Sequence, residues 1–198
     1  MALKMLENVD KKNVMQSVVE TENLVRKSRQ FERLTAQHFG NFHVWLPDDF
    51  HAFCGSYQLS LARSYIADHL FSGKYEFQVC NDDFFPDFAF YGLNASSPLF
   101  MKCKLLSRHI SQKVYNIFIL IDLEEPSTES VLAYYCTCRN GARTVGACAH
   151  IIAILWYLGC GRHAEELKGP ADFLNDSFPS IPSSEETEES SEEESDDV

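Results

Sequence analysis

An α+β fold is what this sequence predicts, and three observations carry the prediction. Residues 56–70, "SYQLSLARSYIADHL", place Leu59, Ala62, Ile66 and Leu70 at helical intervals. From Tyr75 to Cys138 the pattern changes to alternating and β-branched runs broken by turn formers. Cys136, Cys138, Cys148 and His150 then cluster where the last such run gives way to the apolar stretch "IIAILWYL".

Along the chain, residues 1–45 read as a helical N-terminal segment, with Leu3, Leu6, Val14, Val18, Leu24, Val25, Phe31 and Leu34 loosely spaced by three or four. Pro47-Asp48-Asp49 breaks that pattern and caps the next segment. Residues 46–98 hold the amphipathic helix, with Ser56 as its expected N-cap and Gly73 just past its end. The same segment holds the strand "KYEFQVC" and the phenylalanine-rich loop "NDDFFPDFAFYGLNASSP". Residues 99–168 read as three strands, "LFMKCKLLSRH", "VYNIFILIDL" and "VLAYYCTC", joined by short turns into an antiparallel meander. Residues 134–159 form the core of the segment that carries the four clustered side chains. Lys168-Gly169-Pro170 is a helix-stop signal, and residues 176–198, rich in Ser, Glu, Asp and Pro, are expected to be disordered.

The formal charge of −12 is concentrated at one end. Residues 185–197 contain nine acids and no base, leaving −3 for the rest of the chain. Residues 101–163 carry seven bases against four acids. Acidity of the whole chain therefore says little about the part that folds. No secretory signal is visible, and no apolar run approaches the ~20 residues of a membrane span. Seven cysteines without a secreted-type spacing point to a reducing, intracellular setting, where clustered thiols more often hold metal than disulfides.

The C-x-C and C-x-H pairs have a geometric logic. Residues i and i+2 of a strand project from one face, so Cys136 and Cys138 can aim at one point. "RNGARTVGA" reverses the chain, with Gly141 and Gly146 giving the freedom of a tight return. Within a helix, positions i and i+2 diverge by about 200°. Cys148 and His150 can therefore converge only if Cys148 stands at or before the N-cap and His150 in the first turn. Three thiolates and one imidazole make a closed tetrahedral set for one structural Zn²⁺. A reduced core cluster and a redox-active C-x-C pair are the competing readings. Cys54, Cys80 and Cys103 read as small core hydrophobes, and Cys160 with His163 as an incidental pair at a helix end.

The pattern C-x-C-x9-C-x-H followed by an apolar helix resembles the SWIM zinc finger. That resemblance implies a ββα unit, the ligands Cys136, Cys138, Cys148 and His150, and a role in binding DNA or protein. "YCTCRNGARTVGACAHIIAILWYLG", with "SRHISQKVYNIFILI" and "GSYQLSLARSYIADHL", also resembles the C-terminal region of transposon-derived, transposase-associated SWIM proteins of invertebrates. It implies a nuclear location.

Two functions follow as expectations. Arg108, His109 and Lys113 on one turn and Arg139 and Arg143 on the knuckle would contact duplex DNA. Alternatively, the acidic tail would serve an adaptor that engages basic protein partners. Catalysis is not expected: the sequence has no Gly-rich phosphate loop, no nucleophile elbow and no H-E-x-x-H. Asp48, Asp49, Asp82, Asp83 and Asp87 read as turn formers.

Overall fold

The computed structural model describes residues 2–35, 37–38, 42–70, 75–107, 110, 112–139, 141 and 146–163. Arg108, His109, Arg143, Gly73, the Lys168-Gly169-Pro170 stop and the acidic tail lie outside them. Among the described residues the fold is α+β, three helices on a five-stranded antiparallel sheet.

Helix α1 (Ala2–Thr21) buries Met15, Val18 and Val19. It ends where Asn23 takes a left-handed φ of 51°. The Leu24 amide then donates to the Val19 carbonyl at 3.0 Å, and the Asn23 amide to Glu20 at 3.2 Å. This is a Schellman stop, with buried Leu24 and Val19 as its apolar contact. The apolar spacing predicts helix through Phe31 and Leu34. The structure corrects it: Phe31–Arg33 is strand β1, paired antiparallel with β2 (Tyr75–Cys80). The stop at Asn23 releases the chain, and Phe31 is drawn into a ring cluster with Phe100 and Phe118, centroids 5.7 and 6.4 Å away.

Helix α2 (Pro47–Leu70) starts earlier than Ser56. Pro47 stands at its first position, where a missing N–H costs nothing. Asp49 reaches back to accept from the Leu46 amide at 2.8 Å, half of a capping box. Gly55, at φ 77° and ψ 163°, breaks the helical path. A second helical segment thus begins at Ser56, close to the expected start, but Gly55 holds the non-helical position before it and Ser56 Oγ meets His51 Nδ1 at 3.2 Å instead of capping.

Strands β3 (Pro98–Leu106), β4 (Val114–Asp122) and β5 (Val131–Cys136) complete a sheet of order β1-β2-β3-β4-β5. Leu99, Met101, Cys103 and Leu105 of β3 face α2 and the apolar helix α3 (Ala149–Gly159), as do Tyr115, Ile117, Ile119 and Ile121 of β4. Phe100, Phe118 and Leu120 face α1. The sheet is thus buried on both sides. A bulge in β5 decides which face carries the last residue of that strand. Leu120 pairs with Ala133 but Ile121 with Val131, so Leu132 is an extra residue on β5. Val131 and Cys136 are five positions apart and would otherwise point to opposite faces. The bulge puts both on the α2–α3 side.

Buried lysine is the surprise of the α1 side. Lys102 is 1% exposed; its Nζ donates to the carbonyls of Leu24 and Val25 at 2.8 and 3.2 Å, just past the end of α1. The ammonium lies 5.0 and 5.6 Å from the ring centroids of Phe31 and Phe118.

Candidate metal centre

The site is assembled from three elements. β5 delivers Cys136 at its last residue, and the chain keeps its hold on β4 one step further. The Thr137 amide donates to the Asn116 carbonyl at 3.0 Å, and the Asn116 amide to Thr137 Oγ1 at 2.9 Å. The Thr137 side chain thus supplies the last acceptor of the ladder while Cys136 and Cys138 turn inward on either side of it. Both are buried.

Gly141 closes the knuckle. Its amide donates to Cys138 Sγ at 2.9 Å. A Cβ there would stand 2.6 Å from the Cys136 carbonyl oxygen and 3.1 Å from Cys138 Sγ. Close approach, rather than the backbone freedom expected from sequence, is what demands glycine at 141. Gly146, at φ 101°, does match the expectation of a left-handed position.

α3 supplies the other two donors. Cys148 is its N-cap, with extended φ −76° and ψ 164°, and accepts from the Ile152 amide on its backbone oxygen at 3.1 Å. His150 follows within the first turn, the placement that convergence of a C-x-H pair requires. His150 Nδ1 lies 3.7 Å from Cys136 Sγ and 3.9 Å from Cys148 Sγ. All four donor atoms fall within 4.8 Å of one another. A tetrahedral zinc with bonds of about 2.3 Å to sulfur and about 2.0 Å to nitrogen sets donors roughly 3.5–3.8 Å apart, so the set fits that ion. The imidazole is held by rings on two elements. Tyr65 of α2 meets it at 4.7 Å and 85°, and Tyr115 of β4 at 5.2 Å and 31°.

Protons are shared unevenly among the sulfurs. Hydrogen bonds with the Cys136 and Cys148 side chains, aided by His150 and the Gly141 amide, hold Cys138 far below the ordinary thiol range. Burial pushes Cys136 well above it. Cys148 stands at about 12: its hydrogen bond with Cys136 pulls it down, but the bond with Cys138 and burial outweigh that. A zinc ion held by Cys136, Cys138, Cys148 and His150 would supply the charge that favours ionised sulfurs, and its binding energy would add to folding.

Among the described residues this is the one group of three or more Cys, His, Asp or Glu donors that converge. Cys160 and His163 do not join it; Arg162 Nε donates to His163 Nε2 at 3.1 Å. Cys80 and Cys103 are buried, as expected of core thiols, and Cys54, half-buried, donates to the Phe50 carbonyl at 3.1 Å. Asp87 acts in a turn as expected, accepting from the Phe90 amide, whereas Asp48 and Asp49 lie in the first turn of helix α2 instead of a loop. Of the basic residues expected to contact DNA, Lys113 and Arg139 are exposed.

A closed set of three cysteine sulfurs and one imidazole, anchored in a sheet end and a helix N-terminus, defines a structural zinc centre. Residues 118–159 match the family described as the SWIM zinc finger, from Phe118 in β4 to the last residue of α3. No curated protein and no solved structure matches the chain. Cys136, Cys138, Cys148 and His150 are positioned to bind one zinc ion. No described helix is long and apolar enough to cross a membrane.

Proposed function

We propose that the zinc-bearing end of this fold is a non-catalytic recognition module that binds duplex DNA, within a transposon-derived protein of the nucleus. One observation carries the reading. Lys113 Nζ lies 5.5 Å over the Tyr115 ring, the same ring that packs on His150. The pairing of Ile117 with Cys136 runs Lys113 and Arg139 to the same end of the sheet. The metal centre therefore fixes the base of an exposed cationic rim. Arg108 and Arg143 belong to the segments that flank it in sequence.

The metal's part is to hold the rim rigid, so that cations meet phosphates without first being ordered. Titration with duplex DNA at two salt concentrations tests this. Affinity should fall steeply with salt, and Lys113→Gln or Arg139→Gln should each lower the log–log slope by about one. Absence of binding, or slopes the variants leave unchanged, would remove the DNA reading.

A second reading is a protein-interaction adaptor whose acidic tail engages basic partners. Nine acids within residues 185–197 favour it, since such a run repels DNA. Deleting residues 176–198 separates the two: a gain in DNA affinity marks the tail as a shield, and loss of a protein partner marks it as the contact. The transposon-derived origin and nuclear location rest on sequence resemblance, and imaging of a tagged chain checks the location.

A further inference from the structure

The opposite end of the sheet holds a different surface. Where β2 ends and β3 begins, beside the edge strand β1, lies a groove of about 550 Å³. Its floor is apolar: Val79, Phe85, Leu99 and Leu123. Its rim carries Glu32, Asp82 and Asp83, all exposed, and Asn81, whose Oδ1 is buried with no hydrogen-bond partner. Among the described residues neither lysine nor arginine lines it.

His38, also at the rim, places Nε2 3.3 Å from Glu32 and Nδ1 3.0 Å from the Thr35 amide, so Asp82 and Asp83 are the acids of the rim without such a neighbour among the described residues. The rim is otherwise built of acceptors. Among the described residues these acids do not converge on a point as the cysteines and His150 do, which disfavours a single metal ion. A lysine or arginine side chain answers all these features, with an apolar stem for the floor and a donor-only head for the rim.

We propose that this groove is a docking site for a basic segment of a partner protein, one cationic side chain seated between Glu32 and the Asp82–Asp83 turn. It is independent of the zinc-bound rim and stands whether or not DNA binds there. The test uses the full chain and a labelled peptide alternating arginine and leucine, followed by anisotropy and by amide chemical shifts. The expected result is shifts at residues 79–85 and 99–100, and an affinity about tenfold weaker in the Asp82→Asn, Asp83→Asn double variant. Unchanged affinity in that variant, shifts confined to residues 185–197, no binding, or the same shifts with Mg²⁺ alone would each overturn the proposal. Both side chains are exposed, so the variant should keep its melting midpoint.

Discussion

Gly141 and Cys138 are joined by a 2.9 Å hydrogen bond from amide to sulfur, in a space that admits no side chain at position 141. The bond stabilises the thiolate and fixes the return of the chain toward Cys148. Gly141→Ala should destabilise the fold by about 1–3 kcal/mol through overpacking against backbone. Zinc affinity should fall at least about tenfold, as expected when a group supporting a metal ligand is displaced. Competition with a chromophoric chelator measures it; wild-type affinity would refute the role given to this contact.

Thr137 should act differently from its cysteine neighbours. Thr137→Val keeps the shape but removes the acceptor for the Asn116 amide, costing about 1–3 kcal/mol. Zinc stoichiometry should remain that of the wild type. A variant that loses metal would show that Thr137 does more than extend the ladder.

Asp122 accepts three backbone amides, from Ser96, Ser97 and Glu124, at 2.7, 3.0 and 3.1 Å. Burial raises its affinity for a proton, but these bonds prevail and leave its carboxyl below the ordinary range. A depressed carboxylate stabilises the fold at neutral pH and loses that contribution as pH falls through its native value. Asp122→Asn should cost about 1.5–3 kcal/mol at pH 7. The gap should close below about pH 4, in denaturant melts run across the acid range.

Lys102 gives a slope of the same sign, in the alkaline range instead of the acid one. Burial, then Lys104, lowers its ammonium to about 8, against a smaller pull from Glu76. Below that value both states hold the proton. Between about 8 and the ordinary 10.5 the native chain releases it while the unfolded chain keeps it, so stability rises with pH. Melts of wild type and Lys102→Met, compared from pH 7 to 10, isolate this group from the cysteines and tyrosines that also titrate. The difference should shift in favour of the wild type as pH rises; a flat difference would contradict the lowered value.

Much of the site is legible in the sequence because its signal is local. Strand spacing aims Cys136 and Cys138 together, and the apolar run after His150 fixes where Cys148 must stand. The features that sequence reasoning misses are decided at a distance. β1 has three residues and no pattern of its own; β2 and the phenylalanines specify it, although Asn23 is an available sign that the helix stops. Leu132 looks like any strand residue, and only its pairing reveals the bulge that turns Cys136 to the correct face. Lys102 sits in an alternating run where a solvent-facing residue is expected, and only α1 shows why it is buried.

The most direct measurement is elemental analysis of protein purified without added metal, alongside melts with and without chelator. One zinc per chain is expected, absent from Cys138→Ala and Cys148→Ala. Loss of the metal should lower the midpoint by about 8–16 °C for each ~4 kcal/mol withdrawn. Zinc-free protein with an unaltered melt, or a full equivalent of zinc kept by both variants, would contradict a structural zinc held by Cys136, Cys138, Cys148 and His150.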